Sequence, residues 1–211
     1  ESGTEALYVG VTRPNAAQTA QYGYVERILP RELQISGGFT HAGYCVDCAV
    51  VYSGASTNVI RGLHYFEGIA VSVNAQGRAA TGLVVSGGAI TLPFYTTDAI
   101  IGLPFTCEIE TLPIAIEQAA GAGIGSPKNV EEVYLRVRNT VGLKLGPTFD
   151  DLTTWKQTRA ESMGDPIPPY TGIVDIKPIS EWDEDATICI RQDAPLPCTV
   201  QSITLKVSTG G

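Results

Sequence analysis

An all-β fold is what this sequence predicts, and three observations carry it. Apolar residues recur with a period of two, as where Val133, Leu135 and Val137 alternate with Tyr134, Arg136 and Arg138. Glycine and proline, 23 and 13 of 211 residues, punctuate the chain at short intervals, and both break helices and mark turns. Runs of Ala, Leu, Glu and Lys at helical spacing are missing, and methionine occurs once. Such a pattern of short strands folds as a sandwich, barrel or meander. With 44% hydrophobic and 17% charged residues, the chain has enough apolar surface to bury a core.

Residues 1–36 read as a β-hairpin, with strands over 6–13 and 22–29 around a polar loop and Pro30 ending the second strand. Leu7, Val9 and Val11 alternate with Tyr8, Gly10 and Thr12, so one face of the ribbon is apolar. Two strands alone are marginal in water. The hairpin is therefore expected to complete a sheet supplied by the rest of the chain, another domain or another subunit. Leu7, Val9, Val11 and Tyr24 form the candidate assembly surface, and Ser36-Gly37-Gly38 marks the boundary that follows.

Residues 37–103 are expected to form a small β-barrel or meander. Its strands fall at 49–52, 69–73, 83–86 and 89–92, with turns at Asn74-Ala75-Gln76-Gly77 and Gly87-Gly88. Residues 104–211 are expected to form a C-terminal β-sandwich. Residues 105–112 read as a strand, 113–120 as a short helical turn or crossing segment, and 121–126, rich in glycine, as a flexible linker. The clean alternation over 132–138 makes that strand the firmest. An irregular stretch, 147–170, leaves room for one short strand near Trp155, and strands follow at 172–177, 186–191 and 199–207.

Composition and motifs exclude most chemistry. A formal net charge of −8 repels phosphate backbones, so specific nucleic-acid binding is not expected. No run of about 18 apolar residues is present to span a bilayer, and the first residues lack the basic and apolar regions of a signal peptide. The five cysteines include Cys45-Val46-Asp47-Cys48, but no second CxxC and no histidine pair at zinc spacing accompany it. Small buried side chains are the better account. Cys189 and Cys198 flank a turn at 193–197; a hairpin there would offset them by roughly 10 Å along the strand, beyond the roughly 7 Å limit for a bridge.

His41 and His64, the two histidines, sit in no nucleophile-and-base context, and Val85-Ser86-Gly87-Gly88 lacks the GxSxG elbow. Glu181, Asp183, Glu184 and Asp185 surround Trp182 without the alternation of a calcium loop. Tyr170 and Trp182 are candidates for partner or glycan contacts, since aromatics concentrate at interfaces. A carboxylate pair such as Asp150 with Glu161 is the weakest of the readings. No catalytic residue, cofactor or metal is assigned. The rival functional class is a carbohydrate- or receptor-binding module of a phage or cell surface.

One resemblance adds to this reading. Leu63-His64-Tyr65-Phe66-Glu67-Gly68, residues 71–77 and Val85-Ser86-Gly87-Gly88-Ala89-Ile90-Thr91-Leu92 resemble a family of bacteriophage tail proteins. The similarity continues through Ile101-Gly102-Leu103-Pro104-Phe105, Glu110-Thr111-Leu112-Pro113, Lys128-Asn129-Val130, Leu135-Arg136-Val137, Gly146-Pro147 and Arg191-Gln192-Asp193-Ala194-Pro195-Leu196-Pro197. This region of the family is often labelled for its likeness to the first catalytic cysteine half-domain of ubiquitin-activating enzymes, a structural barrel that implies no ubiquitin chemistry. Tyr24-Val25-Glu26-Arg27 looks like the last strand of the β-propeller that precedes this region in the family; the rest of that propeller lies outside this sequence, which leaves open a fragment of a longer protein, a split gene or a smaller tail component. The resemblance implies a non-enzymatic tail component of nozzle or hub type, assembled in the bacterial host cytoplasm and located in the virion. Its implied partners are further copies of itself and other tail proteins, with DNA passing nearby.

Overall fold

The computed structural model describes residues 6–14, 16, 21–28, 45–115, 117–118, 121–122, 125–157, 166–178 and 181–210. Every regular element among them is a β-strand, apart from a 3-10 turn at His64–Phe66. The chain divides into two compact units, Glu1–Phe105 with Ala194–Leu196 and Thr106–Asp193 with Pro197–Gly211. The hairpin expected as a separate segment thus belongs to the first unit.

In the first unit, β1 (Leu7–Pro14) and β2 (Gln21–Ile28) form the expected hairpin, with Leu7 opposite Ile28 and Pro14 opposite Gln21. Its two strands make a sheet of their own. The remainder is β3 (Asp47–Arg61), β4 (Ala70–Ala75), β5 (Arg78–Val84) and β6 (Ala89–Leu103), arranged in the order β3-β6-β4-β5. This open order corrects the expectation of a barrel or meander. Val71 to Ala75 on β4 are all buried, so β4 needs a neighbour on both sides, whereas β5 alternates with exposed residues and suits an edge. The chain accordingly makes the β4–β5 hairpin and returns β6 to the far side of β4.

Strands β3 and β6 run well beyond the segments 49–52 and 89–92. Their pairing shifts register between Ser53 and Thr57 and between Thr57 and Val59, so both continue through residues that read as breakers. Pro93 falls in the gap between the pairs Thr91–Val59 and Thr96–Thr57, where its missing N–H costs no ladder bond. Ile60, Leu63, Phe66, Val71, Val73, Ile90, Leu92 and Ile101 make the core of this unit.

The second unit contains β7 (Cys107–Glu110), β8 (Glu117–Gln118), β9 (Gly121–Ala122), β10 (Lys128–Thr140), β11 (Lys144–Thr148), β12 (Asp151–Thr154), β13 (Tyr170–Ile176), β14 (Cys189–Gln192) and β15 (Val200–Thr209). One sheet has the order β13-β10-β15 and another β12-β11-β14-β7. They share a single core: Val133, Leu135, Val137, Val174 and Ile176 come from the first, and Leu145 and Ile190 from the second. This is the expected sandwich-like arrangement. The firmest expected strand, 132–138, is the centre of β10, which is buried by neighbours on both edges.

Three expectations in this unit need correction. Gly121–Ala122 is not linker but pairs with Glu117–Gln118 as a two-residue ladder, which also replaces the helical turn read there. Strand β11 lies where no strand was read, because the partner beside its buried residues is β14, far along the chain, with Leu145 opposite Ile190 and Gly146 opposite Cys189. Strands β14 and β15, read at 186–191 and 199–207, belong to different sheets. Cys189 and Ile190 are buried between β11 and β7, while β15 carries exposed Ser202 at the edge of the other sheet.

Candidate assembly surface

The hairpin has two unlike faces. Alternation and register place Leu7, Val9, Val11, Arg13, Tyr24, Glu26 and Ile28 together on one of them. This face is turned toward its own unit: the Arg13 guanidinium holds Glu26 and Asp47, both at 3.0 Å, and the Tyr24 hydroxyl donates to the Tyr65 carbonyl at 3.1 Å. Val9, Val11 and Tyr24 are accordingly half-buried, while Leu7 stays 62% exposed near the ribbon's end. The opposite face carries Tyr8 and Val25, 60% and 81% exposed. Sequence reasoning passed over both because it followed the cleaner alternation of Leu7, Val9 and Val11; the signal was an apolar Val25 opposite Gly10 on the polar side.

Beside the hairpin, the residues that carry the family resemblance build one turn-on-turn assembly. Gly87 and Gly88 both have positive φ, +59° and +67°, in the two-residue loop that joins Ser86 to Ala89. The Glu67 carboxylate accepts hydrogen bonds from the Gly87 and Gly88 N–H groups, each at 2.8 Å. These N–H donors hold the carboxyl below its ordinary range. The Gly88 N–H is thus occupied, and its carbonyl accepts from Leu63 N at 2.9 Å. His64 lies directly under Gly88, where a Cβ would come within 2.3 Å of the imidazole. Glu67 thus ties the 64–66 turn to the Gly87-Gly88 loop, with His64 packed beneath Gly88.

The remaining candidates are dispersed. Tyr170 packs edge-on against Trp155 at 5.5 Å and donates its hydroxyl to the Ile173 carbonyl. It pairs with Thr140 at one end of β10, whereas Trp182 precedes Asp183, which bridges Lys128 at the other end. At about 3.3 Å per residue the two aromatics are roughly 40 Å apart and cannot line one sugar groove. Asp150 lies in the β11–β12 turn, and Glu161 and His41 fall outside the described residues.

Burial and Glu26 push the Cys48 thiol up to about 11, the reverse of the lowered value a nucleophile or metal ligand needs. Burial likewise raises the Cys189 and Cys198 thiols. Among the described residues, no three His, Cys, Asp or Glu side chains gather as a metal site, and no helix is long and apolar enough to cross a membrane. Compared with protein-family models and with curated proteins, the chain matches none.

Proposed function

We propose that this chain is a non-enzymatic structural component of a bacteriophage tail, of nozzle or hub type, which works by assembling with copies of itself and with other tail proteins around the genome exit path. The observation that carries the reading is the hairpin: a two-stranded sheet with no third strand among the described residues, exposing Tyr8 and Val25 on one face and Leu7 and Ile28 at the end of the other. A ribbon of this kind is marginal in water and gains most from strand addition or apolar burial by a neighbour. The chemistry of the resembling segment supports the same reading. Glu67, Gly87 and Gly88, which could suggest an active-site loop, spend their polar groups on holding two turns together. An excess of acidic residues, net −8 per chain, would let DNA pass a ring of such subunits without adhering.

The test is the mass of the full-length protein by light scattering, with negative-stain images of the same sample. A multiple of 22.4 kDa is expected, and removal of residues 1–36 should lower it. A protein that stays monomeric at high concentration, or an assembly indifferent to that deletion, would overturn the proposal.

A further inference from the structure

The outer face of the β13-β10-β15 sheet is graded in charge. Glu132, Tyr134, Arg136 and Arg138 alternate along β10 with the buried Val133, Leu135 and Val137, and so point away from the core. Toward one end the charges satisfy one another. Lys177 reaches Glu132 at 3.1 Å, Lys206 reaches Glu131 at 3.2 Å, and the Tyr134 hydroxyl donates to Glu132 at 2.5 Å. Toward the other end stand Arg136 and Arg138, about 7 Å apart along the strand. Neither makes an ion pair with any described residue. The nearest carboxylate in register, Asp175, lies opposite Tyr134 and bridges to neither. Ile173, opposite Arg136, is 62% exposed. Two guanidiniums with no ion pair to a described residue, beside an exposed aliphatic side chain, thus form a basic, partly apolar patch on an acidic protein.

The same chain presents the complement. Glu181, Glu184 and Asp185 are exposed and make no ion pair with a described residue, and Trp182 between them is 54% exposed. Asp183 instead accepts from the N–H groups of Glu184 and Ala186, which shapes the loop. The loop is anchored by paired backbone bonds between Lys128 and Asp183 at 2.8 and 2.9 Å, and by the buried Lys128 ammonium donating to the Glu184 carbonyl at 2.5 Å. Because the anchor is Lys128, loop and patch are separated along β10 by roughly 26 Å from Lys128 to Arg136. They cannot satisfy each other within one chain.

We infer that the Arg136–Arg138–Ile173 face binds the Glu181–Asp185 loop of a second copy of this chain. The inference rests on the assembly reading above and supplies one of its contacts. Trp182 lays its ring over Arg136 and Ile173 while the flanking carboxylates pair with the two guanidiniums, a combination of residue types that dominates interface energetics. Two different surfaces meet, so the contact repeats from subunit to subunit and closes into a ring or extends as a filament.

Charge exchange in the full-length protein tests this. Arg136→Glu with Arg138→Glu makes patch and loop both acidic; Glu181→Arg with Glu184→Arg and Asp185→Arg makes both basic. Each variant, with an unchanged far-UV circular dichroism spectrum, is expected to associate at least about tenfold more weakly than the wild type. An equimolar mixture of the two is expected to regain mass, because each patch then meets a loop of opposite charge. Wild-type association should also weaken between about 0.1 and 1 M salt, as the screening length falls from about 10 to 3 Å. Wild-type-like mass for the Arg136→Glu, Arg138→Glu variant, or a mixture no heavier than its parts, overturns the contact while leaving the assembly reading intact. A monomeric wild type overturns both.

Discussion

Gly88 has no tolerance for a side chain. Its φ of +67° lies in the left-handed region, and a Cβ would stand 2.3 Å from the His64 ring. Gly88→Ala is expected to cost about 1–3 kcal/mol from the backbone conformation alone, with a further contribution from displacing His64. Urea titration of Gly88→Ala, His64→Ala and the double variant separates the two: the double should recover the contact part and keep the backbone part. Glu67 adds a pH dependence. The Gly88 and Gly87 N–H groups hold its carboxyl below the ordinary glutamate value of about 4.3. Its stabilisation is therefore present above that value in full and is lost as pH falls through the lower, folded-state value. Glu67→Gln should unfold at a lower temperature than wild type at pH 7, and the gap should narrow below about pH 4. A gap that stays constant between pH 7 and pH 3 would contradict the assigned bonds.

At the scale of elements, β10 organises the second unit because it has partners on both edges and a core on one face. Leu135 is fully buried at its centre, so Leu135→Ala should cost about 2–5 kcal/mol. Ser202, its neighbour across the ladder from Arg136, is exposed on the edge strand, and Ser202→Ala should stay within about 0.5 kcal/mol. Urea midpoints of the two variants check the contrast; comparable losses would mean that β15 is covered where it now lies open. The hairpin and β10 were legible in the sequence because each alternates within a single face. Strands β3 and β6 were legible only in part, since Gly54 and Pro93 lie inside them. A break in propensity ends a strand on paper, but a register shift absorbs it in the sheet.

At the scale of the whole molecule, charge matters more than any single group. Lysine and arginine number 14 against 22 aspartates and glutamates, a balance that opposes association with DNA. Gel mobility of duplex DNA at about 0.15 M salt should be unchanged by about 100 μM protein, a concentration at which a nonspecific binder shifts it. A clear shift would mean that the Arg136 and Arg138 patch takes phosphate in preference to carboxylate.

The sequence by itself determined that this chain is all-β, where its tight turns fall, and that its N-terminal ribbon carries an apolar face. Period-two burial and glycine-dependent turns are local, so the local string records them. Only the tertiary structure decided that β6 lies between β3 and β4, that β14 and β15 belong to different sheets, and that Tyr170 and Trp182 stand at opposite ends of β10. It also decided which arginines lack partners: Arg13 finds Glu26 and Asp47 through folding, whereas Arg136 and Arg138 find none among the described residues. Strand order and charge pairing depend on which distant segments meet, and that is set by the competition among all strands for buried positions.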